Sequence, residues 1–226
     1  MRKLVQVVVG AILLGAAASP AAAQRKEDWR DQWYWGAHVG VLSYKTTLQP
    51  YYYDALVGGH WFITADRTAL YVGFDQGFFE VPAVTIIEDP ASSGSTVGPG
   101  FRDVSFSSLR RIMIGVVAMP RRATIEPFFG GGFAMTQILD PTVDCSGCVT
   151  PAEAFEAESR AEDAASKAFG WAMAGAQINY RKLTLMGHYI VTSAAQGFLL
   201  EGTTHTIQVG LRYSFGTSKE GITEIN

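Results

Sequence analysis

Alternation with a period of two runs through most of the chain. Near its end, THTIQVGLRYSF (204–215) puts Ile207, Val209, Leu211, Tyr213 and Phe215 on one face. Thr206, Gln208, Gly210, Arg212 and Ser214 fall on the other. ALYVGFDQGFF (69–79) sets Leu70, Val72 and Phe74 against Tyr71, Gly73 and Asp75. LTLMGHYIV (183–191) sets Leu183, Leu185, Tyr189 and Val191 against Thr184, Met186 and His188. In AHVGVL, Ala37, Val39 and Val41 oppose His38, Gly40 and Leu42. Successive side chains of a strand point to opposite faces, so these runs predict strands whose two faces meet different surroundings.

Eight strands are predicted, at about 33–43, 54–63, 69–79, 104–119, 124–138, 168–179, 183–195 and 204–215. Two have no legible register. RRIMIGVVAM is apolar on both faces, and FGWAMAGAQINY alternates only at its end, where Ile178 and Tyr180 oppose Gln177 and Asn179. Three connections are short (TADRT, PRRAT, NYRKL), and they alternate strictly with longer ones at 44–53, 80–103, 139–167 and 196–203. Short turns at one end and long loops at the other, joining strands of about ten residues, predict an all-β fold. It is an eight-stranded antiparallel up-and-down transmembrane β-barrel. Aromatics gather near strand ends (Trp33, Tyr34, Trp35; Tyr51, Tyr52, Tyr53; Phe78, Phe79; Tyr213, Phe215), as two interfacial girdles require. A soluble lipocalin-like barrel would instead want a polar exterior and would leave the aromatic ends unexplained. No internal repeat or second domain is visible.

Composition adds an address. Arg2 and Lys3, the apolar run LVQVVVGAILLGAAA and the Ala-x-Ala site before Gln24 predict a signal peptide over residues 1–23, with an N-terminal membrane anchor as the alternative. After it, residues 24–32 form a periplasmic segment, 33–215 the barrel and 216–226 a periplasmic tail. The formal charge of −3 becomes more negative once the basic residues of the signal are removed, which excludes a nucleic-acid partner. No later run is long and apolar enough for a helical span.

IEPFFGGGFA (125–134), FGWAMAGAQINY (169–180) and IQVGLRYSF (207–215) resemble the small OmpA/OmpX-type outer-membrane β-barrel proteins, over about residues 33–215. The resemblance implies location in the outer membrane of a Gram-negative-type bacterium, with outer-membrane lipids around the barrel and both termini in the periplasm. It also implies a last strand (Ile207, Val209, Leu211, Tyr213, Phe215) read by the outer-membrane assembly machinery. In the usual pattern the closing aromatic ends the protein, whereas GTSKEGITEIN follows Phe215 here.

Candidate chemistry is sparse. Cys145 and Cys148 lie in a loop of an exported chain, where a structural disulfide is expected. A thioredoxin-like motif would need a βαβ setting, and zinc would need about four ligands. The following TPAEAFEAESRAEDAASK carries a cap at Thr150, Pro151 at the first helical position and Glu153 to complete a capping box. Glu156–Arg160 and Asp163–Lys167 are favourable i,i+4 pairs. These predict a short helix over 151–167 in the third external loop, supported by the disulfide or the barrel rim; a disordered acidic loop is the alternative. The four long loops carry twelve acidic against four basic residues, a rim that would hold divalent cations, repel anions or simply be well solvated.

His38, His60 and His188 fall on inward faces at similar heights, together with Asp75, Glu126, Gln208 and Arg212. They read as a metal or catalytic cluster, or as polar side chains that plug a narrow barrel through hydrogen bonds. Arg212 then needs an inward partner, Asp75 or, better placed, Glu126, directly or through neighbours. No cofactor is expected. The function implied is a non-enzymatic surface-interaction scaffold acting through the loops toward an unidentified external partner. Its alternatives are binding or lateral transport of a small apolar molecule and, remotely, a lipid-modifying enzyme. The last lacks a serine two residues after either His188 or His205.

Overall fold

The computed structural model describes residues 32–89, 100–120, 124–146, 148, 150–180 and 182–217. Residues 1–31, which include the predicted signal peptide, and residues 218–226 of the predicted tail lie outside the described residues. Eight long strands form the wall: β1 (Gln32–Tyr44), β2 (Tyr52–Ala65), β3 (Thr68–Asp89), β4 (Gly100–Ala118), β5 (Glu126–Leu139), β6 (Ser166–Tyr180), β7 (Leu183–Thr192) and β8 (His205–Thr217). Each pairs antiparallel with its neighbours in sequence. Pairing of β1 with β8, from Gln32↔Thr217 to Ser43↔His205, closes the barrel. Closure removes the edge strands that would otherwise recruit other chains.

The short connections define a turn end. Asp66 and Arg67 make a two-residue hairpin between Ala65 and Thr68, with Asp66 at φ 49°, a left-handed conformation that aspartate tolerates better than most residues. At this end Trp61 stacks on Trp35 (centroids 5.8 Å apart) and meets Trp33 edge-on (5.1 Å) on the outer surface. Cross-strand aromatic pairs of this kind add about 0.5–1.5 kcal/mol beyond their burial.

Outward positions along the wall are apolar and exposed, among them Val39, Ile114, Phe133 and Leu211. A continuous belt of this kind would be an aggregation surface in water and suits a hydrocarbon solvent. Inward positions are buried. The structure supplies the two missing registers: Arg111, Met113, Val117 and Met119 of the fourth strand segment point inward, as do Phe169, Trp171, Met173 and Gln177 of β6.

The loop end differs from expectation in two places. Residues 80–89 and 100–103 read as loop in the sequence, yet β3 and β4 continue through them as a paired wing beyond the barrel. The segment VPAVTIIE is rich in β-branched residues, and a register shift between Phe78 and Ala83 bends the wing while keeping its ladder. A two-residue strand, Thr142–Val143, adds to the β4 edge of the wing at Ser105 and Val104. The helix forms as α1 (Pro151–Ala165), with the Thr150 side chain accepting from the Glu153 N–H. Lys167, expected as its last pairing partner, lies on β6 instead; Glu156 and Arg160 do pair, at 3.0 Å. A 15-residue helix is marginal alone, and tertiary packing supports this one: Ala157 is buried, and Ala161 and Ala165 cluster with loop-end residues that include Leu109, Ile138, Leu199 and Leu200.

Candidate functional site

Side chains buried inside the wall form three layers. At the loop end lies an apolar plug in which Leu42, Tyr44, Leu56, Phe79, Phe106 and Leu109 meet beneath the alanine face of α1. Toward the turn end a second apolar layer contains Tyr34, Phe62, Val117, Met119 and Phe128. Between them sits a polar core whose charged members would be prohibitively costly if unpaired.

Asp75 is the centre of that core. One carboxylate oxygen, Oδ2, accepts from Arg111 Nε (2.9 Å), Arg111 Nη2 (2.5 Å) and Gln208 Nε2 (3.2 Å); the other, Oδ1, accepts from His38 Nε2 (2.6 Å). Arg111 also donates to the Thr206 hydroxyl at 3.2 Å. Gln208 passes the network on, because its Oε1 accepts from His188 Nε2 at 2.6 Å.

A second line runs from Arg212. Its Nε donates to His60 Nε2 (3.1 Å), and Nδ1 of His60 faces Nδ1 of His38 at 3.0 Å. The polarity of this line follows from its ends. Arginine only donates and the Asp75 carboxylate only accepts, so one proton on each imidazole, at Nδ1 of His60 and Nε2 of His38, gives every contact of the line a donor and an acceptor. A second proton on either ring would set two donors against each other. Arg212 also lies 4.0 Å over the Phe62 ring and donates through Nη1 to Gln177 Oε1 (2.9 Å), whose Nε2 donates to Glu126 Oε2 (3.2 Å). Asn179 donates to the same Glu126 oxygen at 2.6 Å. Arg212 thus reaches Glu126 through Gln177, while the direct cation on Asp75 is Arg111.

Glycines make room for these side chains. A Cβ at Gly58 would overlap His38 Nε2 and the Phe74 carbonyl oxygen, and lie 2.7 Å from Asp75 Oδ1. The imidazole therefore lies across bare backbone. His38, His60, Asp75, Glu126, His188, Gln208 and Arg212 are all buried, and His38, His60 and His188 stand next to one another, with ring centroids 5.3 and 6.3 Å apart. Arg111, Gln177, Asn179 and Thr206 belong to the same network; alternation assigns faces to the last three but does not single them out as candidates. The alternation that would place Arg111 is hidden by apolar residues on both faces of its strand. Among the described residues, no group of three or more His, Cys, Asp or Glu side chains is arranged to hold a metal ion.

Clefts open at the loop end among the described residues. One, of about 590 Å³, is walled by Ile86, Glu88, Arg160, Lys167, Phe198 and Glu201, among others. Another, of about 550 Å³, lies beside α1 near Gln137 and Glu162. Cys145 and Cys148 are joined in a disulfide just before α1. Beside it Asp144 accepts from the Ser146 N–H at 2.9 Å, which holds its carboxyl below the usual carboxylate range. Ile207, Val209, Leu211, Tyr213 and Phe215 line the outer face of β8.

No protein-family model matches the sequence, and no curated protein matches it. Solved structures do match its fold. Neisserial surface protein A aligns over 81% of this chain and 97% of its own, at 8% identity and a TM-score of 0.55. The N-terminal β-barrel domain of Pseudomonas aeruginosa OprF aligns over 80% of this chain and 97% of its own, at 8% identity and a TM-score of 0.41. With a closed wall of eight antiparallel strands, short turns at one end and long loops at the other, the chain has the fold of the small OmpA/OmpX-type outer-membrane β-barrels.

Proposed function

We propose that the protein is an outer-membrane scaffold that presents its loop end to the outside and carries out no catalysis. The observation that supports this reading is the contrast between the two faces of the wall: apolar and exposed outside, closed by a paired polar core inside. A barrel filled in this way is a support for its loops. Passage of a small apolar molecule would need an open apolar cavity, whereas the midsection holds Asp75, Arg111, His38, His60 and Arg212. The rim is built for presentation: α1, the paired wing and the last long loop pack into one cluster, and Leu199 N–H donates to the Ala164 carbonyl at 3.2 Å. The outward belt meets outer-membrane lipids, and the partner of the loops is external to the cell.

Three measurements test this. The protein is expected to extract only with detergent, to migrate differently on gels when boiled and unboiled, and to pass little or no ion current in planar bilayers. Recovery in a soluble periplasmic fraction sinks the membrane reading, and large stable single-channel currents sink the filled scaffold.

Assembly follows from β8. Its outward row ends on Phe215, and we assign to that row the recognition by the assembly machinery. Phe215→Ala should lower the folded fraction in outer membranes several-fold relative to wild type, while removal of residues 218–226 should leave it unchanged. Loss of insertion on trimming the tail alone would move the signal beyond Phe215.

A further inference from the structure

The outer surface of the wall carries a polar row near its loop end. Gln76 of β3, Arg110 of β4, Gln137 of β5 and Ser166 of β6 are successive cross-strand partners in a single row. The first three of these side chains point outward, as their alternation with buried Asp75, Arg111 and Thr136 requires. Arg110 is exposed on this outward face, and its guanidinium lies 5.8 Å over the Phe74 ring. The next row toward the turn end is Phe74, Ile112, Met135 and Ala168, wholly apolar. From the polar row down to the turn end the outward run spans about eight residues on β3 and about twelve on β5. At about 3.3 Å per residue and a tilt of about 40°, this is roughly 20–30 Å, the height of a barrel's hydrocarbon band. The row therefore sits where acyl chains give way to headgroups on the loop side.

The cleft of about 550 Å³ begins at this row. Gln137 and Ser166 belong to both, and Asp140, Thr142 and Glu162 line the rest of its polar surface. Its chemistry is divided. A guanidinium with flanking carboxamides suits a phosphate at the band edge. Two carboxylates farther up would repel a bare anion but accept hydrogen bonds from hydroxyl groups. A simple phospholipid satisfies only the first part. We propose that the row and the cleft together bind a phosphorylated sugar headgroup of an outer-leaflet glycolipid. Arg110 takes the phosphate, Asp140 and Glu162 accept from sugar hydroxyls, and the acyl chains run down over Phe74, Ile112 and Met135. The site rests on the membrane reading above and adds to it the class of lipid that is recognised.

The test is lipid retention by the full folded barrel. Protein in detergent micelles is mixed with equal amounts of an acylated, bis-phosphorylated glucosamine disaccharide, its dephosphorylated form, phosphatidylglycerol and phosphatidylcholine. Bound lipid is then read by native mass spectrometry. Wild type should retain the phosphorylated glycolipid above each of the others. Arg110→Gln should lower that retention about tenfold, toward the dephosphorylated form, as loss of one charge-assisted contact implies. Glu162→Gln should weaken both sugar lipids and leave phosphatidylglycerol unchanged. Folding of each variant is checked by its unboiled gel mobility, and Gln137→Leu on the same row gives the same comparison should Arg110→Gln fail to fold. Equal retention by wild type and a folded row variant overturns the site. Phosphatidylglycerol held as well as the glycolipid overturns the sugar half of the proposal. A barrel that inserts into bilayers without lipid preference defeats the site alone, whereas a protein that enters no bilayer defeats the membrane reading and the site with it.

Discussion

Asp75→Ala should destabilise the barrel by about 3–5 kcal/mol, the usual cost of removing one partner of a buried ion pair. The reason lies in what is left behind. Asp75 accepts from both Arg111 nitrogens, from Gln208 and from His38, and it is 0% exposed. Arg111 is equally enclosed, so without Asp75 a full positive charge remains in the lumen with only the Thr206 hydroxyl beside it. His38 loses its acceptor as well, and the line of hydrogen bonds from Arg212 then ends on an unpaired donor. Urea titration of the unboiled, fast- or slow-migrating folded species in micelles reads the loss. Arg111→Leu alone should cost a similar amount, because it strands the carboxylate. The Asp75→Leu/Arg111→Leu double variant should lose clearly less than the two singles together, since neither charge is then orphaned. Strict additivity would mean that the pair is not coupled, and a change below about 1 kcal/mol for Asp75→Ala would mean that the core is not dry.

Trp171→Ala should cost a comparable amount, about 3–5 kcal/mol, by the combined loss of buried ring and the cavity left in its place. Trp171 is the largest residue of its row. From β6 its indole crosses β5, where Nε1 donates to the Phe133 carbonyl (2.9 Å), and reaches β4 at the Ile114 carbonyl (3.3 Å). Gly132, its cross-strand partner, and Gly115 beyond it leave the bare backbone on which the ring lies. A Cβ at Gly115 would overlap both Trp171 Cζ2 and the Gly131 carbonyl oxygen. Neighbours cannot collapse into the vacated space, because the wall strands are held by their ladders on both sides. The folded form of Trp171→Ala should therefore melt well below wild type on a temperature series of unboiled samples. Melting unchanged from wild type would show that the indole contributes no packing.

Much of the wall was legible because alternation is a local property. Each of Leu70, Val72 and Phe74 faces one solvent while Tyr71, Gly73 and Asp75 face the other, so six residues suffice to read both face and element. The same logic failed on RRIMIGVVAM. Outward Ile112 and Ile114 and inward Met113 and Val117 are all apolar, since this part of the lumen is itself an apolar layer. Arg110 and Arg111 are neighbours in sequence, and nothing local says which one points inward. Asp75 decides it from across the β3–β4 ladder, where it is the direct partner of Arg111. The cap of α1 was likewise readable from Thr150, Pro151 and Glu153, but whether the helix would be stable was not. Its support comes from Leu199 and Leu200, which arrive from the last long loop.

The sequence by itself determined the fold class, the strand count, the inward address of His38, His60, Asp75, Glu126, His188, Gln208 and Arg212, and the face of β8 that ends on Phe215. All of these follow from side-chain period and loop length, which neighbouring residues settle among themselves. Only the tertiary structure decided who pairs with whom: Arg111 with Asp75, Arg212 with Glu126 by way of Gln177, Trp171 with the backbone of β4, and the polar row of Arg110 with the cleft beside α1. Those pairings depend on how far each strand slides against the next as the sheet closes. That stagger accumulates around the whole barrel, and no short stretch of sequence contains it.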